Sequence, residues 1–131
     1  MPALAAFDYA VIRVVPRVER EEFINVGAVL FCPDRGWICA KIELDEQRLL
    51  SLFPGADIEL IREHLDAFRW TCAGGEGAGP IGLLPTRERW HWLVAPKNTI
   101  IQTSAPHGGL CEDPEQALER ILDANVRPPR V

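Results

Sequence analysis

A hairpin pattern in the first third of the chain constrains the fold more than any other feature of the sequence. The run FINVGAVLFC (23–32) is apolar on both of its alternating faces, which is typical of a central strand that is covered on both sides. Residues 33–36, PDRG, favour a turn, because proline presets one turn dihedral and glycine accepts a left-handed exit. The run WICAKIEL (37–44) follows as the partner strand, so that Cys32 is predicted to face Trp37. The core face of this hairpin is expected to carry Asn25, Gly27, Val29, Phe31, Ile38, Ala40, Ile42 and Leu44.

The rest of the chain is predicted to form three more strands and three helices. Runs of β-branched and aromatic residues indicate the strands, and aspartates before apolar runs indicate helix starts, because a carboxylate accepts hydrogen bonds from free backbone N–H groups. Since neighbouring strands follow one another through short turns, we predict an α+β fold with a mainly antiparallel sheet of about five strands packed by two to three helices. The further strands are 7–15, 89–95 and 99–105, with a loop at 106–109, and the helices are 45–53, 57–70 and 114–125.

Length and composition indicate one domain. The chain has 131 residues, of which 47% are hydrophobic and 25% charged, which is enough to bury one core. Residues 73–82 are rich in glycine, so we predict a mobile loop there, between two halves of a single domain that spans 1–131. The 4 cysteines form no CxxC pair and are expected to be reduced thiols, mostly in the core.

Charge and hydropathy argue against two classes of partner. The chain has 14 Lys and Arg against 19 Asp and Glu, a formal net charge of −5, whereas nucleic-acid-binding proteins neutralise phosphates with an excess of basic side chains. Its longest apolar run is far shorter than the ~20 residues that cross a bilayer. The amino terminus has no basic segment before its apolar part. We therefore expect no nucleic acid, no membrane association and a cytoplasmic location.

Apparent motifs for a cofactor, a metal or a nucleophile lack the structural context that their chemistry requires. Residues 77–82 match GxGxxG, but a dinucleotide site needs a strand before the glycines and a helix after them. His107 and Cys111 lack the paired spacing of a zinc site. Pro106 separates Ser104 from His107, and no glycine-flanked elbow holds the serine. We predict no cofactor, no metal and no catalytic residue.

Two polar residues on apolar strand faces are the leading candidates for a site. Arg13 alternates with apolar side chains on its strand, and Asn25 lies on the core face of the hairpin. Each needs partners when it is buried. In one interpretation both are structural, with Glu21 or Glu22 pairing Arg13 and with Asn25 holding a loop backbone. In the other, Arg13 is the fork of an anion-binding cleft and His107 is a second donor.

Two blocks of the sequence resemble a known family. The first is YAVIRVVPRVEREEFINVGAVLFCP (9–33), which has an arginine in a proline-ended strand and the core E-F-x-N-V-G-x-V-L. The second is WLVAPKNTIIQTSAPHGGL (92–110), which contains I-I-Q-x-S-x-x-H and precedes a final helix that starts with Asp-Pro. Together they resemble the short uncharacterised bacterial proteins of domain-of-unknown-function family 3037. The resemblance implies no established activity, but it implies a partner, because such genes neighbour genes for kinase-like proteins of the HipA type.

Two classes of function stay open. The first is a non-enzymatic module that binds or regulates a protein partner, such as a HipA-like kinase, through exposed aromatic residues among Trp37, Trp90 and Trp92. The second is a small enzyme or ligand binder that acts on an anionic small molecule through Arg13 and His107. A third class, a toxin or nuclease, needs an acid–base pair that the sequence does not provide.

The position of Arg13 relative to His107 separates the two open classes. Convergence of the two side chains in an open pocket favours the ligand binder, and separation favours the partner-binding module. The candidate ligand-binding or partner-binding residues are Arg13, Glu22, Asn25, Gln102, Ser104 and His107.

Overall fold

A computed structural model describes residues 3–97 and 99–129 and shows an α+β domain built on one antiparallel sheet, as the sequence predicts. Every strand pairing in it is antiparallel. The strands are β1 (Ala5–Val14), β2 (Ile24–Cys32), β3 (Trp37–Ile42), β4 (Ile101–Thr103) and β5 (His107–Cys111). The helices are α1 (Glu46–Leu52), α2 (Ile58–Ala73), α3 (Thr86–Val94) and α4 (Pro114–Asn125).

The β2–β3 hairpin lies at one edge of the sheet, and β1 lies between β2 and the pair β4 and β5. Cys32 faces Trp37 across the turn, which confirms the predicted register of the hairpin. The helix starts are also confirmed for α1, α2 and α4. In each of them the aspartate before the first turn accepts a hydrogen bond from a backbone N–H, which satisfies one of the free donors of that turn.

Strands β4 and β5 lie end to end along the same side of β1. Thr103 pairs with Ile12, but His107 pairs with Tyr9, so the outer chain contains one residue more than β1 between these pairs. This is the geometry of a β-bulge. Ser104 lies in the bulge, where its backbone N–H donates to the carbonyl oxygen of Val11 at 2.8 Å. Its hydroxyl accepts from the N–H of Val11 at 2.9 Å and so replaces a backbone acceptor in the ladder.

Two elements differ from the prediction. The predicted strand 89–95 is wrong, because these residues belong to α3. Trp90 and Leu93 lie three residues apart on one face of this helix and are both buried, whereas a strand would put them on opposite faces. The predicted loop 106–109 is also wrong, because β5 begins at His107. Gly109 leaves room there for the ring of Phe7, which would collide with a β-carbon.

The sheet separates two hydrophobic clusters. We call the side under α1, α2 and α3 the closed face, and the side under α4 the open face. The closed face buries Ile12 and Phe31 of the sheet against helix residues that include Leu49 and Trp90. The open face packs side chains such as Leu30 against one helix only. The open-face cluster contains Val11, Ala28, Leu30 and Cys32 from the sheet and Ala117, Leu118, Ile121 and Leu122 from α4.

A second bulge, at Val26, changes the face on which Asn25 lies. Ile12 pairs with Gly27 but Arg13 pairs with Asn25, so Val26 has no partner on β1. Its side chain therefore points to the closed face, and the alternation of β2 is reversed beyond it. The prediction that Asn25 shares the core face of the hairpin is wrong for this reason.

The glycine-rich segment after α2 folds into two short 3₁₀ turns, Glu76–Ala78 and Pro80–Leu83. The N–H of Gly75 donates to the carbonyl oxygen of Gly82 at 2.8 Å, which closes the segment on itself. Its mobility stays a prediction. No helix within the described ranges is long and apolar enough to cross a membrane.

Candidate functional site

Three of the predicted site residues form one polar row across the sheet. Arg13 on β1 pairs with Gln102 on β4 and with Asn25 on β2. Directly opposed residues of an antiparallel sheet point to the same face, so the three side chains share the open face. We call Gln102, Arg13 and Asn25 the polar row. The carboxyl end of α4 contacts the row at Asn25.

Arg13 lies at the centre of the row. Among the ion pairs of residues 3–97 and 99–129, none includes Arg13. Its guanidinium carbon lies 4.0 Å from the ring centroid of Phe23, within the range of a cation–π contact. The Nε atom is buried and has no hydrogen-bond partner. Burial lowers the pKa of Arg13, because a cation loses hydration there.

Asn25 connects the row to the last turn of α4. Its Nδ2 donates to the carbonyl oxygen of Asn125 at 2.9 Å, which satisfies one of the free carbonyls at the end of the helix. This resembles the structural role that the sequence predicts, although the backbone held is that of a helix end rather than a loop. The Oδ1 atom of Asn25 is buried and unpartnered. Two of the three such buried side-chain atoms in the described chain therefore belong to cross-strand neighbours in the row, and the third is Nε of Arg89.

A cavity of about 250 Å³ opens beside the row. Arg13 and Gln102 contribute its polar wall, and Glu21 adds a carboxylate. The Nε2 of Gln102 donates to the carbonyl oxygen of Thr99 at 2.9 Å, which holds the amide in place. The remaining lining is apolar and consists of Val15, Val18 and Phe23.

The other three predicted site residues lie outside the row. Glu22 pairs with Arg20 at 2.5 Å rather than with Arg13. Ser104 is buried in the bulge, where its hydroxyl bonds the backbone. His107 is exposed, and its ring lies 5.4 Å from that of Tyr9, to which it is paired. The structure therefore does not bring the six residues together.

Arg13 and His107 do not converge. His107 lies opposite Tyr9, four residues before Arg13 on β1, which corresponds to about 13 Å along the strand at roughly 3.3 Å per residue. The cavity beside the row is lined by neither His107 nor Tyr9.

The chemistry available at the row is recognition of charge and shape rather than proton transfer. An arginine keeps its proton at any pH that a folded protein experiences, and an amide does not titrate. Glu21 is the one carboxylate among the described residues that line the cavity. Within the described residues, no group of three or more His, Cys, Asp or Glu side chains could hold a metal ion.

The largest exposed aromatic residues lie elsewhere, on the outer surface of the helices that cover the closed face. Trp70 on α2 is 61% exposed and Trp92 on α3 is 51% exposed, whereas Trp90 is buried and Trp37 half-buried. Of the three tryptophans that the sequence analysis proposes for an interface, Trp92 is the one that is well exposed. Trp70 was not among them.

The sequence contains a signal that identifies Trp70. It lies nine residues after the buried Ile61, which is two and a half helical turns at about 3.6 residues per turn. Trp70 is therefore on the side of α2 opposite to the core.

Comparison with known proteins gives a family and nothing finer. A family model described as "Protein of unknown function (DUF3037)" matches residues 9–126, which is nearly the whole chain. No curated protein and no solved structure matches the chain.

Proposed function

We propose that this chain, which belongs to the DUF3037 family, is a non-enzymatic module that binds a protein partner through the outer surface of α2 and α3. The observation that carries the proposal is the exposure of Trp70 and Trp92 on these two helices. Exposing a large aromatic side chain to water is energetically unfavourable, and exposed apolar patches often mark interaction sites. Tryptophan is also enriched among the residues that dominate protein interfaces. Because α2 and α3 pack against each other, the two tryptophans belong to one helical layer.

The separation of Arg13 from His107 supports the partner-binding module over an enzyme that uses both residues. General acid–base catalysis needs titratable groups within hydrogen-bond reach of one reacting atom. The two side chains are about 13 Å apart along β1, at roughly 3.3 Å per residue. A single small substrate bound between them would contact neither well.

We propose that the partner is a HipA-like kinase in the cytoplasm, as the family resemblance implies. The net charge of −5 belongs to the whole chain and favours long-range encounter with a basic partner, because opposite charges steer association. Both tryptophans would be buried on binding, which removes their apolar area from water.

The proposal is tested by measuring the affinity of the whole chain for the HipA-like kinase of the same genome by isothermal titration calorimetry. Trp70→Ala and Trp92→Ala are each expected to weaken binding about 30-fold or more, the loss typical of a central interface aromatic. Leu110→Ala is the matched control, because Leu110 is 67% exposed but lies on β5, away from these helices. Its affinity is expected to equal that of the wild type.

Two outcomes would contradict the proposal. If the wild-type protein does not bind the kinase, the kinase is not its partner. If binding persists in both tryptophan variants but is lost in Leu110→Ala, the interface lies at the sheet edge and not on the helices. Thermal unfolding of each variant is the folding control, since surface substitutions of this kind alter stability by about 0.5 kcal/mol or less.

A further inference from the structure

We infer that the polar row is a binding site for a single carboxylate group attached to a small apolar group, with Arg13 as its anchor. The site lies on the open face of the sheet, so it is separate from the tryptophan surface and does not depend on the proposed partner. The inference rests on an arginine that joins no ion pair among the described residues, on the contact of its guanidinium with the ring of Phe23, and on the lining of the cavity.

The first step is that nearby acidic residues do not neutralise Arg13. The connection between β1 and β2 is rich in charge, but its ion pairs are local: Arg17 with Glu19 and Arg20 with Glu22. Glu21 lines the same cavity as Arg13, but no ion pair joins the two among the described residues. A cation that has lost part of its hydration without gaining an anion raises the free energy of the unliganded protein. An incoming carboxylate would restore this missing interaction.

The second step is orientation. The guanidinium carbon of Arg13 lies 4.0 Å from the ring centroid of Phe23, and this cation–π contact limits where the N–H donors can lie. Gln102 flanks Arg13 on one side and Asn25 on the other, as cross-strand neighbours. A planar guanidinium can make two parallel hydrogen bonds to one carboxylate.

The third step is selectivity among anions. Val15, Val18 and Phe23 give the cavity apolar walls that would bury the hydrocarbon part of an organic acid. Glu21 adds a negative charge to the lining, which repels a phosphate dianion more strongly than a carboxylate monoanion. The volume of about 250 Å³ is enough for a small organic acid. These features together favour a monocarboxylate over inorganic phosphate.

The experiment is a titration of the full chain with sodium benzoate, at constant ionic strength, followed by ¹H–¹⁵N NMR and by the melting temperature. We expect saturable shifts at the amides of Arg13, Phe23 and Gln102, and a melting temperature that rises with benzoate concentration by mass action. Inorganic phosphate is the second probe and is expected to bind at least tenfold more weakly. Phosphate that binds as tightly as benzoate would overturn the selectivity, and the absence of any saturable shift with benzoate would overturn the site.

The key variant is Arg13→Met, with Arg17→Met as its matched control. Arg17 also makes a cation–π contact, with its guanidinium carbon 5.3 Å from the ring centroid of Phe53, and lies four residues away. Arg13→Met is expected to abolish the benzoate response and to melt within a few degrees of the wild type, because no buried acid is left unpaired. Arg17→Met is expected to keep the response. A benzoate response that is equal in both variants contradicts the assignment to Arg13.

A second variant keeps the test decisive if Arg13→Met fails to fold. Gln102→Glu places a carboxylate of the chain itself directly opposite Arg13 in the sheet. The new side chain is expected to pair with the guanidinium, raise the melting temperature and reduce benzoate affinity at least tenfold. Unchanged benzoate affinity in this variant would show that the guanidinium does not hold the ligand.

Discussion

The two faces of the sheet differ in how completely they are covered, and β1 shows the difference between neighbouring residues. Ile12 points to the closed face and is fully buried, in a cluster closed by three helices. Arg13, the next residue, points to the open face and borders a cavity. The same strand therefore carries a core side chain and a charged one within a single residue step.

The difference shows that side chains on these strands are apolar where a helix packs on the sheet and can be polar where no helix does. On the open face α4 buries apolar residues of β1 and β2, such as Val11 and Leu30. The helix ends at Asn125, whose carbonyl oxygen accepts from the side chain of Asn25. Beyond this point α4 no longer covers the sheet, and Arg13 and Gln102 border a cavity instead of a helix.

Three predictions test this comparison, and Ile12→Ala has the largest expected effect. Removing three carbon atoms from a fully buried position on the closed face is expected to lower the free energy of unfolding by about 2–5 kcal/mol, since it loses burial and leaves a cavity. Chemical denaturation measures the change. The comparison between the faces fails if the neighbouring Arg13→Met costs as much stability as Ile12→Ala.

Ser104→Ala is expected to have an intermediate effect, and it tests whether a polar residue next to the row is structural. Without the hydroxyl, the buried N–H of Val11 loses its acceptor, at a cost of about 1–3 kcal/mol. Ser51→Ala is the control, because the hydroxyl of Ser51 bonds a carbonyl on an exposed helix surface. A Ser104 variant as stable as this control would show that the bulge does not need its side chain.

The smallest effect is expected from the ion pairs that attach the end of α4 to the sheet. Arg127 contacts Glu43 at 2.7 Å, Glu119 at 3.0 Å and Asp123 at 2.9 Å. Hydrogen bonds from Arg127 lower the pKa of Glu43 below its ordinary value of 4.5. A carboxylate whose pKa is lower in the folded state contributes stability above pH 4.5 and loses it as the pH falls through the folded value.

Arg127→Met is therefore expected to reduce the melting temperature slightly at pH 7, and the difference from the wild type should shrink below pH 4.5. Arg120→Met is the control, because Arg120 lies on α4, seven residues before Arg127, and joins no ion pair among the described residues. Added salt should reduce the effect, since the groups are partly exposed. A difference that persists unchanged at pH 3 would exclude these carboxylates as its source.

The sequence by itself determined the features that depend on consecutive residues. The turn at 33–36 sets the register of the hairpin, and aspartates at the helix starts set where α1, α2 and α4 begin. The alternation of β1 likewise predicts that Arg13 shares a face with Tyr9 and Val11, as the structure shows. These signals are local, because turn dihedrals, caps and strand alternation involve residues a few positions apart.

Only the tertiary structure decided which side chains meet. The bulge at Val26 moved Asn25 to the open face, and the bulge at Ser104 placed His107 opposite Tyr9 instead of Asp8, the partner that unbroken pairing from Thr103 and Ile12 would give it. Tertiary packing also made 89–95 helical, since Trp90 and Leu93 fill one core together. Each outcome depends on pairing between segments far apart in the chain, and a shift of one residue in such a pairing reverses the face of every side chain beyond it.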